Sequence, residues 1–432
     1  MSALRPGWTG SENLFHHFGM PGEDPTAVVR YVPGGGEAWR NPWPAYSRLR
    51  DEDPVHHVVP ERHPEHDFYV LSRHGHVLDA AVDVQTFSSA QGLTVAYDDL
   101  AKLGLAADPP FVMTDPPVHT AFRRLVARGF TPRQVGELEP KVRSFVRERV
   151  AAIAADGGGD VVREVFKPLP SMVVAHYLGV PEQDRSRFDD WSTAIVAANA
   201  AGGAASALEG ASGALAELMG YFGELVGRRR SEQARGEVAE DTVSHLVAAA
   251  DSAAGPDLTA VLGFVFTMIT GGNDTTTGLL GEAVQLLAED PEQREDLAAS
   301  PGLIPDAVEE FLRLSSPAQG LARTTTRDVE IEGVVIPAGR RVLLLYGAAN
   351  RDWRRYGADA ELLDIRRRPG QILAFSQGHH HCLGAAAARL QARVALEELL
   401  AAVPDFEVDL DAVTWAPGAY VRRPTSVPLE VL

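Results

Sequence analysis

Apolar side chains recur every three or four positions from about residue 133 to residue 314, broken by short Gly, Pro or Asp clusters. This period predicts stacked amphipathic helices over 132–155, 181–199, 213–235, 258–289, 291–299 and 305–314, with a further helical run over 385–400. Segments 55–58 and 68–71 carry strand-like apolar and aromatic residues, and 329–331 with 334–336 flank Glu332-Gly333 as a hairpin. The Ala-, Gly- and Ser-rich stretch 198–214 reads as a connection, either a plain flexible loop or a lid over a ligand. No repeat and no charged or Pro-rich linker divides the chain. The expectation is one large domain over 41–432, mainly α with a smaller β region, preceded by an unplaced extension over 1–40.

Composition narrows the function. Of 432 residues, 45% are apolar and 23% charged, which fits a globular protein able to bury a large core. The 59 acidic against 40 basic side chains leave a net charge of −19, the wrong sign for binding nucleic acid or an anionic membrane. Stretch 258–269 is interrupted by Thr259 and Thr267 and is too short to span a bilayer, so no membrane anchor is expected. The first 24 residues show no basic segment leading into an apolar one, and a single cysteine fits a reducing compartment, so a cytoplasmic address is expected.

That cysteine, Cys382, lies in Phe375-Ser376-Gln377-Gly378-His379-His380-His381-Cys382-Leu383-Gly384, just before the helical run. Free amides and the positive dipole end of a helix stabilise a thiolate there. On the residues alone three readings stay open: a small buried hydrophobe, a zinc ligand beside the His run, or a nucleophile with a His base. Adjacent histidines converge poorly on one ion, and no paired Cys completes a zinc set.

Three other segments carry candidate chemistry. Glu310 and Arg313 sit one helical turn apart on one face, as does Glu309 with Arg313 at i+4; Glu310 is the favoured partner. Gly271-Gly272-Asn273-Asp274-Thr275-Thr276 puts poor helix formers inside a helix that spans about 50 Å, predicting a loosened turn. In Asp115-Pro116-Pro117-Val118-His119-Thr120-Ala121-Phe122-Arg123 a Pro-initiated helix presents His119 and Arg123 on one face, able to clamp a carboxylate.

The order and spacing of Phe375, Gly378, Cys382 and Gly384, 72 residues after Glu310, resemble the haem-thiolate monooxygenases of the cytochrome P-450 family. Pro337-Ala338-Gly339 and Ala349-Asn350-Arg351-Asp352 follow the family's order, and the resemblance runs from about Asn41 to the C-terminus. It implies the P-450 fold, a triangular helical prism around haem b, with Cys382 as axial thiolate and metal ligand. It also implies that His119, Arg123, Arg323 and His380 meet the haem propionates, that Asp274 and Thr275 pass protons to dioxygen, and that Glu310 and Arg313 form a buried structural pair. Two departures stand out. Ser376 replaces the glycine usual after the phenylalanine, and Leu362 falls where a third Arg or His often completes the Glu-x-x-Arg network.

The implied reaction inserts one atom of dioxygen into a lipophilic small molecule. Pocket walls are expected at 93–97, 195–199, 267–272, 319–322 and 419–421, among them Leu93, Val95, Val196, Met268, Gly271, Gln319, Leu321 and Tyr420. No flavin, nicotinamide or iron–sulfur motif accompanies the site, so electrons are expected from a separate ferredoxin-type donor and its reductase, docking near Arg124, Arg128 and Arg389. The alternatives are a haem-based gas sensor or carrier, and a peroxide-driven peroxygenase.

Overall fold

Proline and glycine set many of the helix limits. The computed structural model describes residues 29–432 apart from 32, 103–104, 201–203, 238, 240 and 251–256. Its principal helices are α1 (Trp43–Glu52), α2 (His74–Val82), α3 (Val118–Val126), α4 (Glu139–Asp156), α5 (Pro168–Tyr177), α6 (Arg185–Ala200), α7 (Ala204–Ala234), α8 (Thr242–Ala250), α9 (Leu258–Glu289), α10 (Pro291–Ala299), α11 (Ile304–Ser315) and α12 (Ala385–Ala402). The single helix expected over 132–155 is two, Pro132–Glu137 and α4, with Leu138 between them. Pro140 explains the break, because proline fits only the first turn of a new helix. Gly157, at φ 74°, ends α4 in the left-handed conformation that glycine adopts freely. α7 starts earlier than expected: Ala204, Ala205 and Ala207 favour helix strongly enough to outweigh Gly210 and Gly213.

The long helix α9 has the limits its sequence pattern gave, with the Asp257 carboxylate accepting from the Ala260 amide at 2.8 Å as its N-cap. Its buried Leu279, Leu280, Ala283, Val284 and Leu287 share one core with Val142, Val146, Val150 and Ile153, the apolar stripe of α4, and with Leu396 and Leu399 of α12. The spacing of each stripe is what seats helix against helix. A second core gathers α5, α6, α7 and α8 around Phe264 and Val265.

The larger part of the β region is built from β1 (Val55–Val58), β2 (Phe68–Leu71), β3 (Phe87–Ser88), β4 (Leu321–Thr325), β5 (Val329–Ile331), β6 (Val334–Ile336) and β7 (Arg341–Leu344), and short strands, most of them near the C-terminus, form two further small sheets. One sheet runs β1-β2-β7-β4-β3, parallel only between β2 and β7. β5 and β6 form the expected hairpin, turning at Glu332 and Gly333 with φ of 49° and 79°. Residues 29–40, left unplaced by the sequence, include Trp39, which is fully buried and donates its indole N–H to Gly418 at 2.8 Å. Among the described residues no helix is long and apolar enough to cross a membrane.

Candidate active site

Four elements meet around Cys382. The chain passes from Phe375 to Gly384 in a tight loop whose closing bond runs from the Cys382 amide to the Phe375 carbonyl, 2.9 Å. Gly378 adopts φ 71°, and a Cβ there would stand 3.2 Å from the Ala81 carbonyl of α2. Ser376 is also left-handed, φ 56°, and is buried, with its hydroxyl accepting from the Tyr346 phenol at 3.2 Å. The loop therefore keeps glycine-like geometry at a serine, and Tyr346 provides the compensating bond.

Cys382 opens to solvent on one side. Protein surrounds it on the others, so burial raises the thiol, while the Gly384 amide, Arg123 and Arg389 pull it back toward the thiolate. It is not the small buried hydrophobe of one sequence reading. Nor does the His379, His380, His381 run join it in a metal-holding group among the described residues. At Gly384 a Cβ would meet only the sulfur, at 4.0 Å, so the glycine leaves the space above the thiol clear.

Next to the thiol stands a set of donors with no acid. His119 of α3 is 1% exposed, and neither of its ring nitrogens has a partner. Its ring lies 4.1 Å from that of His380, whose Nε2 is likewise buried and unpartnered. Arg323 of β4 is 2% exposed and donates to the Ala322 carbonyl at 2.8 Å. Among the described residues neither it nor Arg123 has an ion-pair partner. Burial and the neighbouring guanidiniums push His119 down to about 4 and His380 to about 3, so both rings are neutral at pH 7. Asp115, the nearest carboxylate in sequence, is occupied by the Ser88 hydroxyl and Ser89 amide. Buried cations and orphaned ring nitrogens on one wall call for an anionic partner carrying several oxygens.

Across from this wall runs α9. It is α-helical throughout, contrary to the expected loosened turn. Packing holds it together, with Phe264, Val265, Leu279 and Leu280 buried on either side of the Gly-Thr segment, while Thr267, Thr270, Thr275 and Thr277 each donate a hydroxyl to the carbonyl four residues back, at 2.8–3.0 Å. A Cβ on Gly271 would meet nothing within 4 Å, whereas one on Gly272 would strike Val174 at 2.9 Å. Asp274 pairs with Arg423, and burial raises its carboxyl to about 6 against the pull of Arg423 and Lys167.

Behind the loop, Glu310 and Arg313 are both 0% exposed and form a bidentate pair at 2.7 Å. Arg313 also donates to the carbonyls of Asn350 and Ala360. The network's third member is Arg367, 3.1 Å from Glu310; Leu362 contributes only a carbonyl, 3.4 Å from Arg313. Glu309 turns instead to Arg389.

These features coincide with a known family. A family model described as Cytochrome P450 matches residues 302–413. The chain is 62% identical over 397 residues to Cytochrome P450 130 of Mycobacterium tuberculosis, covering 91% of this chain and 96% of that one. The chain belongs to the cytochrome P450 family. It is an oxidoreductase of the monooxygenase class, and the family's cofactor is haem held by a thiolate. A Vitamin D(3) 25-hydroxylase of Pseudonocardia autotrophica is 35% identical, over 92% of this P450 and 95% of the relative. Cytochrome P450 CYP109Q5 from Chondromyces apiculatus, a solved structure, superposes with a TM-score of 0.79 at 34% identity, covering 91% of this P450 and 96% of that chain.

The expected pocket residues divide. Backbone bonds gather Leu93, Val95, Leu321 and Tyr420: the Ala322 amide reaches the Leu93 carbonyl, the Val95 amide the Tyr420 hydroxyl, and the Gln319 amide the Tyr420 carbonyl, at 2.8–3.0 Å. Gln319 itself is not a wall. It is 1% exposed and its amide nitrogen closes the end of α11 on the Ser315 and Ser316 carbonyls. Met268 packs where the two helical cores meet, Gly271 faces open space, and the side chain of Val196 lies outside the described residues. Sequence reasoning missed Arg367, Tyr346 and Arg423. The Arg366-Arg367-Arg368 run was the only available signal, for the first of them.

Proposed function

We propose that this P450 hydroxylates a lipophilic small molecule with dioxygen, using electrons from a separate ferredoxin-type protein and its reductase. The observation that carries the reading is the meeting of one accessible thiol with four donors, His119, Arg123, Arg323 and His380, that have no acid of their own. In this reading Cys382 holds the iron of haem b, and the four donors hold its propionates. The bound haem supplies activation of dioxygen.

The remaining work falls to the chain. Gly384 keeps the approach to the sulfur open, and its amide, with Arg123 and Arg389, favours the thiolate. Asp274, titrating near 6, exchanges a proton readily near neutral pH, and the Thr275 hydroxyl, now donated to the Gly271 carbonyl at 2.8 Å, is the group placed to pass it on. Leu93, Val95, Leu321 and Tyr420 offer an apolar surface to the guest, in keeping with the vitamin D(3) named for the Pseudonocardia relative.

A reduced, carbon monoxide-treated sample tests the ligand. The red-shifted Soret band of a thiolate adduct is expected, and a Cys382→His variant should lose that shift while retaining haem. A normal band in the variant would remove Cys382 from the iron. Soret displacement across a compound library then identifies the guest.

A further inference from the structure

We propose that His63, Glu65 and His66, at the tip of the β1–β2 hairpin, form a binding site for a divalent transition metal of the zinc type. One ring nitrogen from each histidine and one carboxylate oxygen lie within 4.8 Å of one another. His63 Nδ1 is already 3.2 Å from Glu65 Oε1. Tetrahedral zinc, with ligand bonds of 2.0–2.1 Å, needs ligand atoms about 3.3 Å apart, so small side-chain rotations complete the set. Two imidazoles and one carboxylate select zinc, nickel or copper over magnesium or calcium.

The backbone supports the cluster. Pro64 opens a 3₁₀ turn, Pro64–His66, closed by the His66 amide on the His63 carbonyl at 2.9 Å, which places the three side chains on one rigid turn. The two imidazoles stack with centroids 5.3 Å apart. Arg340, one cation bordering the turn, is committed to the Asp67 carboxylate at 2.8 Å and the Glu65 carbonyl at 3.4 Å; Arg62, which precedes His63, is exposed. His63 and Glu65 are exposed and His66 half-buried, so a metal brings little desolvation cost and keeps water in its fourth position.

Occupancy reaches beyond the turn. The free face of His66 stacks on Tyr97, 5.2 Å between centroids, and the Tyr97 hydroxyl donates to the Asp67 carbonyl at 2.8 Å. A metal that fixes His66 therefore clamps the segment carrying Leu93 and Val95 to the hairpin. None of this depends on the haem chemistry.

The test is calorimetric titration of the full-length, haem-loaded protein, free of any polyhistidine tag, with zinc chloride. One site of micromolar affinity is expected, weakened at least tenfold in both His63→Ala and His66→Ala, each checked for an unchanged Soret spectrum. A His379→Ala control should bind as the parent does. Absence of a stoichiometric site in the parent, or parental affinity retained in the His63→Ala and His66→Ala variants, overturns the proposal. Zinc should also slow deuterium exchange in the peptide covering 89–98 in the parent alone; unchanged exchange overturns the clamp.

Discussion

Arg423 Nε stands 2.7 Å from a carboxylate oxygen of Asp274, in a charge contact whose angle does not make a good hydrogen bond. The arginine comes from the C-terminal segment and the acid from the middle of α9. Burial lifts Asp274 from 3.8 to about 6, and Arg423 opposes that rise. Because the folded value lies above the unfolded one, the folded chain holds the extra proton. This group's stabilising contribution is present below about pH 4 and is lost as the pH climbs to about 6.

Arg423→Gln should raise the Asp274 carboxyl further, by about one pKa unit, since a nearby opposite charge is removed while burial stays. Infrared difference spectroscopy of the carboxyl stretch across pH 4–8 checks this, with Arg423→Lys staying close to the parent. An unmoved titration would mean that the contact does not set the acid's proton affinity.

Thr275→Ala removes the hydroxyl nearest Asp274 along the helix and also frees the Gly271 carbonyl it now caps. The helix should survive, because alanine is a better helix former than threonine. Reductant should then be consumed several-fold faster than product forms, with peroxide released instead, while Thr275→Ser keeps the balance. Measuring product and peroxide per reductant settles it, and full coupling in the alanine variant would exclude the hydroxyl from proton transfer.

Glu310 pairs with two guanidiniums, that of the fully buried Arg313 and that of Arg367, which is shared with Asp359. Glu310→Ala leaves a buried cation unpaired and should cost about 3–5 kcal/mol. Urea unfolding of the haem-loaded protein measures it. Arg367→Ala should cost less, because Arg313 keeps its bidentate acid and its two carbonyls.

How much of this was legible follows from how local each signal was. The α9 and α10 limits, the β5–β6 hairpin and the Glu310–Arg313 pair depend on spacing within a few residues, and the chain states them directly. Arg367 lies 57 residues from Glu310; its role depends on how the intervening irregular segment folds back, which no period encodes. Arg423 is farther still from Asp274 along the chain, beyond reach of any helical or strand pattern. The continuity of α9 was misjudged for another reason. Propensity counts glycine and threonine as weak helix formers, but burial of Phe264, Val265, Leu279 and Leu280 on either side of that segment outweighs it. Gln319 looked like a wall because its neighbours were expected to be walls, yet its side chain closes a helix end.

Ser376 separates strain from hydrogen bonding. Ser376→Ala keeps the left-handed φ of 56° and loses the Tyr346 contact, so it should destabilise by about 1 kcal/mol. Ser376→Gly loses the same contact but relieves the backbone, offsetting about 1 kcal/mol. Thermal melting should rank glycine above alanine, with Tyr346→Phe close to the alanine variant in its loss of that bond. Alanine equal to glycine would show that the loop is not strained at this position.

The helix α3 presents two unlike faces. His119 and Arg123 turn inward, while Arg124 and Arg128 on and just beyond the same helix are exposed and, among the described residues, have no ion-pair partner. Arg389, grouped with them on sequence, donates Nε and Nη2 to the two carboxylate oxygens of Glu309 and rests over the Phe375 ring, so its charge is largely spent within the fold. An acidic electron donor should therefore feel the first two far more than the third. Arg124→Glu with Arg128→Glu should slow reduction by roughly tenfold at low salt, with the difference shrinking as ionic strength rises, because exposed charges act on encounter. The Soret spectrum should not move, since neither side chain is among the inward-facing donors. Stopped-flow reduction by a ferredoxin at two salt concentrations distinguishes the cases. If Arg389→Glu slows reduction as much as the double variant, the docking surface is centred on α12 and not on the outer face of α3.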